Sequence, residues 1–254
     1  MKKLVIISIA MLFIGKFSFA QEGGNSLKNF RFGMYGQPSI AWYKSDKTPQ
    51  MVSDGSALKF SYGLATEFTL NKVASFSTGV EASYLGGKLK IVDDSVFYYY
   101  NTGNKDTFML QTRNYRVSYV TIPITLKLKT PEIGAFTYFG QFGINLSIKT
   151  KAKSISDDGY TIKNKIYSEA EPRKDVDITK DMALFNLGLN IGAGFEYNLI
   201  GTTSAVVSVN YHKGFTNALK ATSKELHLKS GNSYNAYTQN AKSDYVSLTL
   251  GILF

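Results

Sequence analysis

His212 shares one face of an alternating stretch with Ser208 and Asn210, and of the two histidines it alone falls in strand-like sequence. An imidazole among hydroxyl and amide groups is a candidate general base, and a barrel-embedded lipid hydrolase would use it that way. Such chemistry needs a nucleophile within hydrogen-bond reach and a carboxylate to orient the ring, and no spacing in the sequence supplies either. Hydrogen bonding inside a barrel accounts for His212 more simply, and His227, in KELHLK, reads as a solvated loop residue. Gly188, Gly192 and Gly194 of GLNIGAGF suggest a nucleotide loop, but they keep the two-residue beat of a strand and no helical pattern follows. The chain has no Cys and offers no His/Cys cluster for zinc. Asp93-Asp94 and Asp157-Asp158 suggest calcium, yet SISDDGYTI reads as a hairpin whose turn is Asp-Gly. No catalytic residue, cofactor site or metal site is therefore expected.

The elements that carry these residues beat in twos. In the last ten, YVSLTLGILF, Val246, Leu248, Leu250, Ile252 and Phe254 alternate with Ser247, Thr249, Gly251 and Leu253. Similar segments run over residues 30–43, 58–70, 74–84, 119–128, 135–149, 185–197 and 205–212, with Val206 a lapse in the pattern. Eight alternating segments separated by turn residues predict an all-β, antiparallel up-and-down barrel. One face of each is Phe, Leu, Ile and Val, and the other is mostly Gly, Ser, Ala, Asn and Thr. The second face would hold a soluble barrel in water poorly but fits a narrow lumen, so the apolar face is expected to meet lipid.

Connections alternate too. Residues 71–73, 129–134 and 198–203 are short links, and the others are long. This predicts short periplasmic turns, long extracellular loops and both termini in the periplasm. Aromatics sort by depth, with Phe30, Phe32, Phe68, Phe76, Phe136, Tyr138, Phe195, Tyr197 and Phe254 at the periplasmic strand ends and Trp42, Tyr84 and Tyr211 opposite. Five charges on the small-residue face are candidates for a lumen network. Arg31, Glu67, Lys127 and Glu196 are expected at one lower level and Glu81 somewhat higher, paired into a network because isolated buried ions are costly.

At the front, Met1-Lys2-Lys3, an apolar run over residues 4–14 and Ser18-Phe19-Ala20 read as a secretory signal peptide, residues 1–20, cleaved before Gln21. Residues 21–29 then form a short periplasmic segment and 30–254 the barrel. The formal charge of +10 becomes +7 without Lys2, Lys3 and Lys16. Those cations lie mostly in loops mixed with acids, without a basic helix, which excludes nucleic acid as a partner.

YVTIPITLKLKT, GAFTYFGQFGINLSI and the terminal strand ending in Phe254 resemble the PorT-like outer-membrane β-barrels of Bacteroidota, a porin-family group, over essentially the whole chain after residue 20. Thr121 stands where that family often has Glu. The resemblance implies integral outer-membrane lipid contact and recognition of the last strand by the barrel-assembly machinery. For the founding members it also implies a place in the type IX secretion apparatus. Tyr98, Tyr99 and Tyr100, running into an Asn/Gly turn, are a candidate contact for an extracellular or secretion-system protein partner. The function expected is a non-enzymatic outer-membrane barrel, its lumen packed by side chains, displaying extracellular loops.

Overall fold

A computed structural model describes residues 30–45, 51–92, 96–99, 107–163, 166–230 and 233–254. The proposed signal peptide and the 21–29 segment lie outside the described residues. The strands are β1 (Phe30–Lys44), β2 (Met51–Ser53), β3 (Ala57–Thr69), β4 (Ala74–Leu85), β5 (Lys88–Ile91), β6 (Val96–Tyr99), β7 (Thr107–Lys129) and β8 (Phe136–Lys163). They continue as β9 (Ile166–Glu169), β10 (Arg173–Asp177), β11 (Phe185–Ile200), β12 (Thr203–Gly214), β13 (Thr222–Ser230), β14 (Ser233–Thr238) and β15 (Lys242–Leu253).

Strands β1, β3, β4, β7, β8, β11, β12 and β15 pair antiparallel in that order, and β15 returns to β1 in register from Gly33↔Leu253 to Lys44↔Lys242. The ring is closed, so the barrel proper leaves no free edge. The alternation sets which face is which. On β3 and β4, Leu58 is 80% exposed and Val80 56%, whereas Ser61 and Glu67 are each 1% exposed. The apolar beat thus points out of the barrel and the small and charged beat points in. An outer surface of this kind is stable only against lipid.

At one end the connections are tight, over residues 70–73, 130–135 and 201–202. Asn71 accepts a hydrogen bond from the Val73 amide at 2.9 Å. Gly134 and Gly201 sit at φ 67° and 61°, a backbone region that other residues enter only at a cost.

The other end departs from the expected loops. Strands β7 and β8 run 23 and 28 residues, where about 10 span a bilayer, and they remain paired to Thr107↔Ile162. β5 and β6 add to the far edge of β7, β9 and β10 to β8, and the β13–β14 hairpin extends the sheet from β6. The inner faces of this extension pack a core of Tyr43, Met51, Leu89, Phe108, Leu110 and Tyr237, among others. It is a folded cap. The reading of Asp157-Asp158-Gly159 as a hairpin turn is corrected here, because all three lie inside β8. Two register shifts explain the error. β8 has an extra residue at Thr150 and again at Ile155 relative to β7, so its inward beat moves from odd to even and back, and the alternation is lost to inspection.

Candidate functional site

The lumen is closed in three layers. At the short-turn end, Arg31 on β1, Glu67 on β3, Lys127 and Lys129 on β7 and Glu196 on β11 converge. Glu67 accepts from Arg31 at 2.5 Å, from Lys127 at 2.8 Å and also from Lys129. Glu196 accepts from Arg31 at 2.7 Å, Lys127 at 2.9 Å and Lys129 at 3.1 Å. Each carboxylate therefore touches all three cations, and the group carries one excess positive charge. The Lys127 ammonium also lies 4.3 Å from the ring centroid of Phe139, which points inward among Val206 and Leu253. Four of the five residues singled out from sequence meet here. Lys129 was missed, although it sits two residues beyond Lys127 on the same beat. Glu81 stands apart, accepting from Tyr35 Oη at 2.8 Å and Ser83 Oγ at 2.5 Å.

The middle layer is hydrogen-bonded polar side chains. Gln37 donates to Ser247 at 2.8 Å and Thr249 at 3.0 Å, and Asn210 donates to Ser208 at 3.1 Å and Thr249 at 2.9 Å. His212 contacts Asn145 Nδ2 through Nδ1 at 2.9 Å and Ser247 Oγ through Nε2 at 3.1 Å, and its ring stacks on Tyr245 at 4.0 Å between centroids. A hydroxyl is thus within reach of the imidazole, which sequence spacing did not reveal. The orienting group is an amide, Ser247 already accepts from Gln37, and the ring is buried on the lumen side, away from lipid. The free space between the charge cluster and His212 is a cavity of about 100 Å³, lined by Gln37, Glu67, Glu81, Lys127, Asn145 and His212 among others. It has room for a few waters.

The third layer is the cap core. Tyr43 and Tyr115 meet edge to face at 5.2 Å over the lumen mouth. Further up, Arg113 and Asp157 form a fully buried pair with Nε–Oδ1 at 2.8 Å and Nη2–Oδ2 at 2.7 Å. Burial alone would lower the guanidinium pKa, and Asp157 more than reverses this, so Arg113 stays charged. This pairing was not foreseen, although Arg113 continues the odd, inward beat of β7.

On the outer surface, Phe30, Phe68 and Phe76 lie side by side in register, with ring centroids 5.3 and 6.3 Å apart. Phe136 contacts Tyr138, Phe195 and Tyr197 on the same rim. Phe32 and Phe254 are exposed there, and the Phe254 amide donates to the Phe32 carbonyl at 2.7 Å. Trp42, Tyr84 and Tyr211 stand toward the capped end, where Phe60 and Tyr62, on the same outward beat, join them. Tyr98 and Tyr99 belong to β6, paired with Phe108 and Thr107 of β7. Tyr100 lies outside the described residues. No helix among the described residues is long and apolar enough to cross a membrane, and crossing falls to the strands.

The family described as outer membrane protein beta-barrel domain matches residues 19–220. Among solved structures, the outer membrane protein OprG from Pseudomonas aeruginosa is 14% identical over 89% of this chain and 96% of its own, with a TM-score of 0.43. A major outer membrane protein from Thermus thermophilus is 10% identical over 89% and 99%, with a TM-score of 0.41. The Yersinia pestis attachment invasion locus protein, Ail, is 12% identical over 88% and 98%, with a TM-score of 0.34. A search of the curated proteins found no match. With a family match across most of its length, on a closed ring with an apolar outer face, the chain belongs to the outer membrane protein β-barrel family.

Proposed function

We propose that this protein is a non-enzymatic outer-membrane barrel that holds its capped end outside the cell as a prefolded surface for a protein partner. In this reading residues 1–20 are removed and both termini face the periplasm. The observation that carries it is the cap itself. Strands β7 and β8 continue well past the bilayer and gather β2, β5, β6, β9, β10, β13 and β14 around a buried core. A barrel needs none of this to close, whereas a binding surface gains from being ordered before its partner arrives. The lumen supports the same reading, since among the described residues salt bridges fill one end and a tyrosine-rich core the other, an arrangement that suits packing better than diffusion. His212 fits a packing role, its two ring nitrogens both engaged inside the barrel.

The chain has no Cys, so single cysteines make clean probes. Cysteine at Lys174 or Lys224 in the cap should react with a membrane-impermeant maleimide on intact cells, and cysteine at Lys72 or Glu132 should not. Photo-crosslinkers at the same positions then test partner contact. A defined adduct from cap sites, lost when the β13–β14 hairpin is shortened, supports the reading. Adducts to secretion components from the short-turn sites would favour the type IX apparatus instead.

A further inference from the structure

The net charge of the chain is concentrated at one end. The described residues within 44–62, 82–120, 145–188 and 211–246, which make up the capped half, hold 18 Lys and Arg against 10 Asp and Glu. The other described residues hold four against four. The excess is placed at a particular depth. Lys44 lies one outward step above Trp42 on β1, with Lys242 of β15 opposite it. Lys213 lies one outward step above Tyr211 on β12. Above Tyr84 and its partner Ser118, Arg116 of β7 stands one outward step up and Lys88 of β5, opposite Asn114, two steps up, while Lys151 of β8 is level with Ser118. Lys44, Lys88, Arg116, Lys151 and Lys213 are exposed. An outward step along a strand is two residues, about 7 Å, so these cations run from the aromatic level to about 14 Å beyond it, across the depth where headgroups lie.

Acids are present here as well: Asp177 interacts electrostatically with Lys151 and Lys153, and Lys44 and Lys242 have partners of their own. Lys153 pairs with Asp175 at 3.2 Å, and Asp244 accepts from the Gly214 amide at 2.9 Å. At the short-turn rim the outward side chains are aromatic or aliphatic, and the charges of the strands there are paired inside the lumen. We propose that the cation row binds the phosphates of an anionic, phosphorylated glycolipid in the leaflet around the cap. A zwitterionic lipid would gain little from a net-positive ring, and a soluble polyanion would be met by charges at the cap tip rather than at the bilayer surface. The placement in the outer leaflet rests on the cap facing outward, as proposed above. The phosphate contact does not.

The test uses the full chain after residue 20, refolded in detergent micelles, where orientation plays no part. The probe is bisphosphorylated lipid A, compared with dephosphorylated lipid A, and binding is read by native mass spectrometry. K88Q/R116Q should weaken binding roughly fivefold per charge removed, and adding K151Q and K213Q should weaken it further. The control K174Q/K224Q removes two exposed cap cations away from the row and should change binding less than twofold. Heat-modifiable electrophoretic mobility checks folding of each variant, and wild-type binding should fall as NaCl rises, a readout that needs no mutation. Equal losses in K88Q/R116Q and the control, equal binding of dephosphorylated lipid A, or salt-independent binding would each overturn the proposal. A cap found in the periplasm by cysteine labelling would leave this binding result intact, so the two readings fail separately.

Discussion

Glu67→Gln is the most informative single change in the lumen. In the wild type two carboxylates serve three cations, with contacts from 2.5 to 3.1 Å among those given above. Removing the Glu67 charge leaves Arg31, Lys127 and Lys129 around Glu196 alone, and the local excess rises from one positive charge to two. Two like charges about 4 Å apart repel by about 4 kcal/mol at an effective dielectric of about 20. Breaking a buried pair costs about 3–5 kcal/mol by comparison with other proteins, so the two routes agree. Lys129→Met acts in the opposite sense, because two carboxylates then face two cations, and it should cost no more than about 1 kcal/mol. Arg31→Met together with Glu67→Met should cost less than the two single changes summed, by about 1–3 kcal/mol. The assay is urea-dependent folding into lipid vesicles, followed by the fluorescence of Trp42, the one tryptophan of the chain. Strict additivity in the double variant, or a Lys129→Met cost equal to that of Glu67→Gln, would refute the network as described.

Other changes test the remaining layers. Arg in place of Val80 or Ile144, both outward at mid-strand, should cost about 2–4 kcal/mol in the same vesicle assay, and no change in stability would reverse the face assignment. Gly143→Ala should destabilise by about 1–3 kcal/mol, because a Cβ there would lie 2.1 Å from the Ile124 carbonyl oxygen of the neighbouring strand. Arg113→Met strands the buried Asp157 carboxylate, so it should expose the cap to limited proteolysis while leaving the barrel heat-modifiable. Arg113→Met with Asp157→Leu should recover much of the protection. Planar-bilayer recordings of the wild type should show no steady conductance, and a persistent open level would contradict a closed lumen.

The barrel was legible because each of its strands lies between lipid and a narrow interior, two environments that demand opposite residue types on alternate positions. Leu58, Phe60, Tyr62 and Leu64 against Lys59, Ser61 and Gly63 record that demand directly. It held even at Val206, which breaks the pattern yet points inward against Phe139 and Leu253. The same beat placed Arg31, Glu67, Lys127 and Glu196 at one level, and carried one step further it would have added Lys129. The cap was not legible, since its strands have a packed inner face and a watery outer one and so tolerate polar residues freely. In β8 the extra residues at Thr150 and Ile155 shifted the beat twice, and Asp157 looked like part of a turn. The hydrogen bonds of His212 to Asn145 and Ser247 join β12 to β8 and β15, contacts that only closure of the ring brings about.

Amide hydrogen exchange on the refolded barrel in lipid is the most direct test of the central claim, that the segments beyond the bilayer form a folded cap. The account predicts that amides of the paired cap residues Leu89, Leu110 and Val117 exchange slowly, approaching the protection of Ala65 and Ile144 in the barrel. Cap amides that exchange at the rate of unstructured loops, while the barrel stays protected, would contradict it.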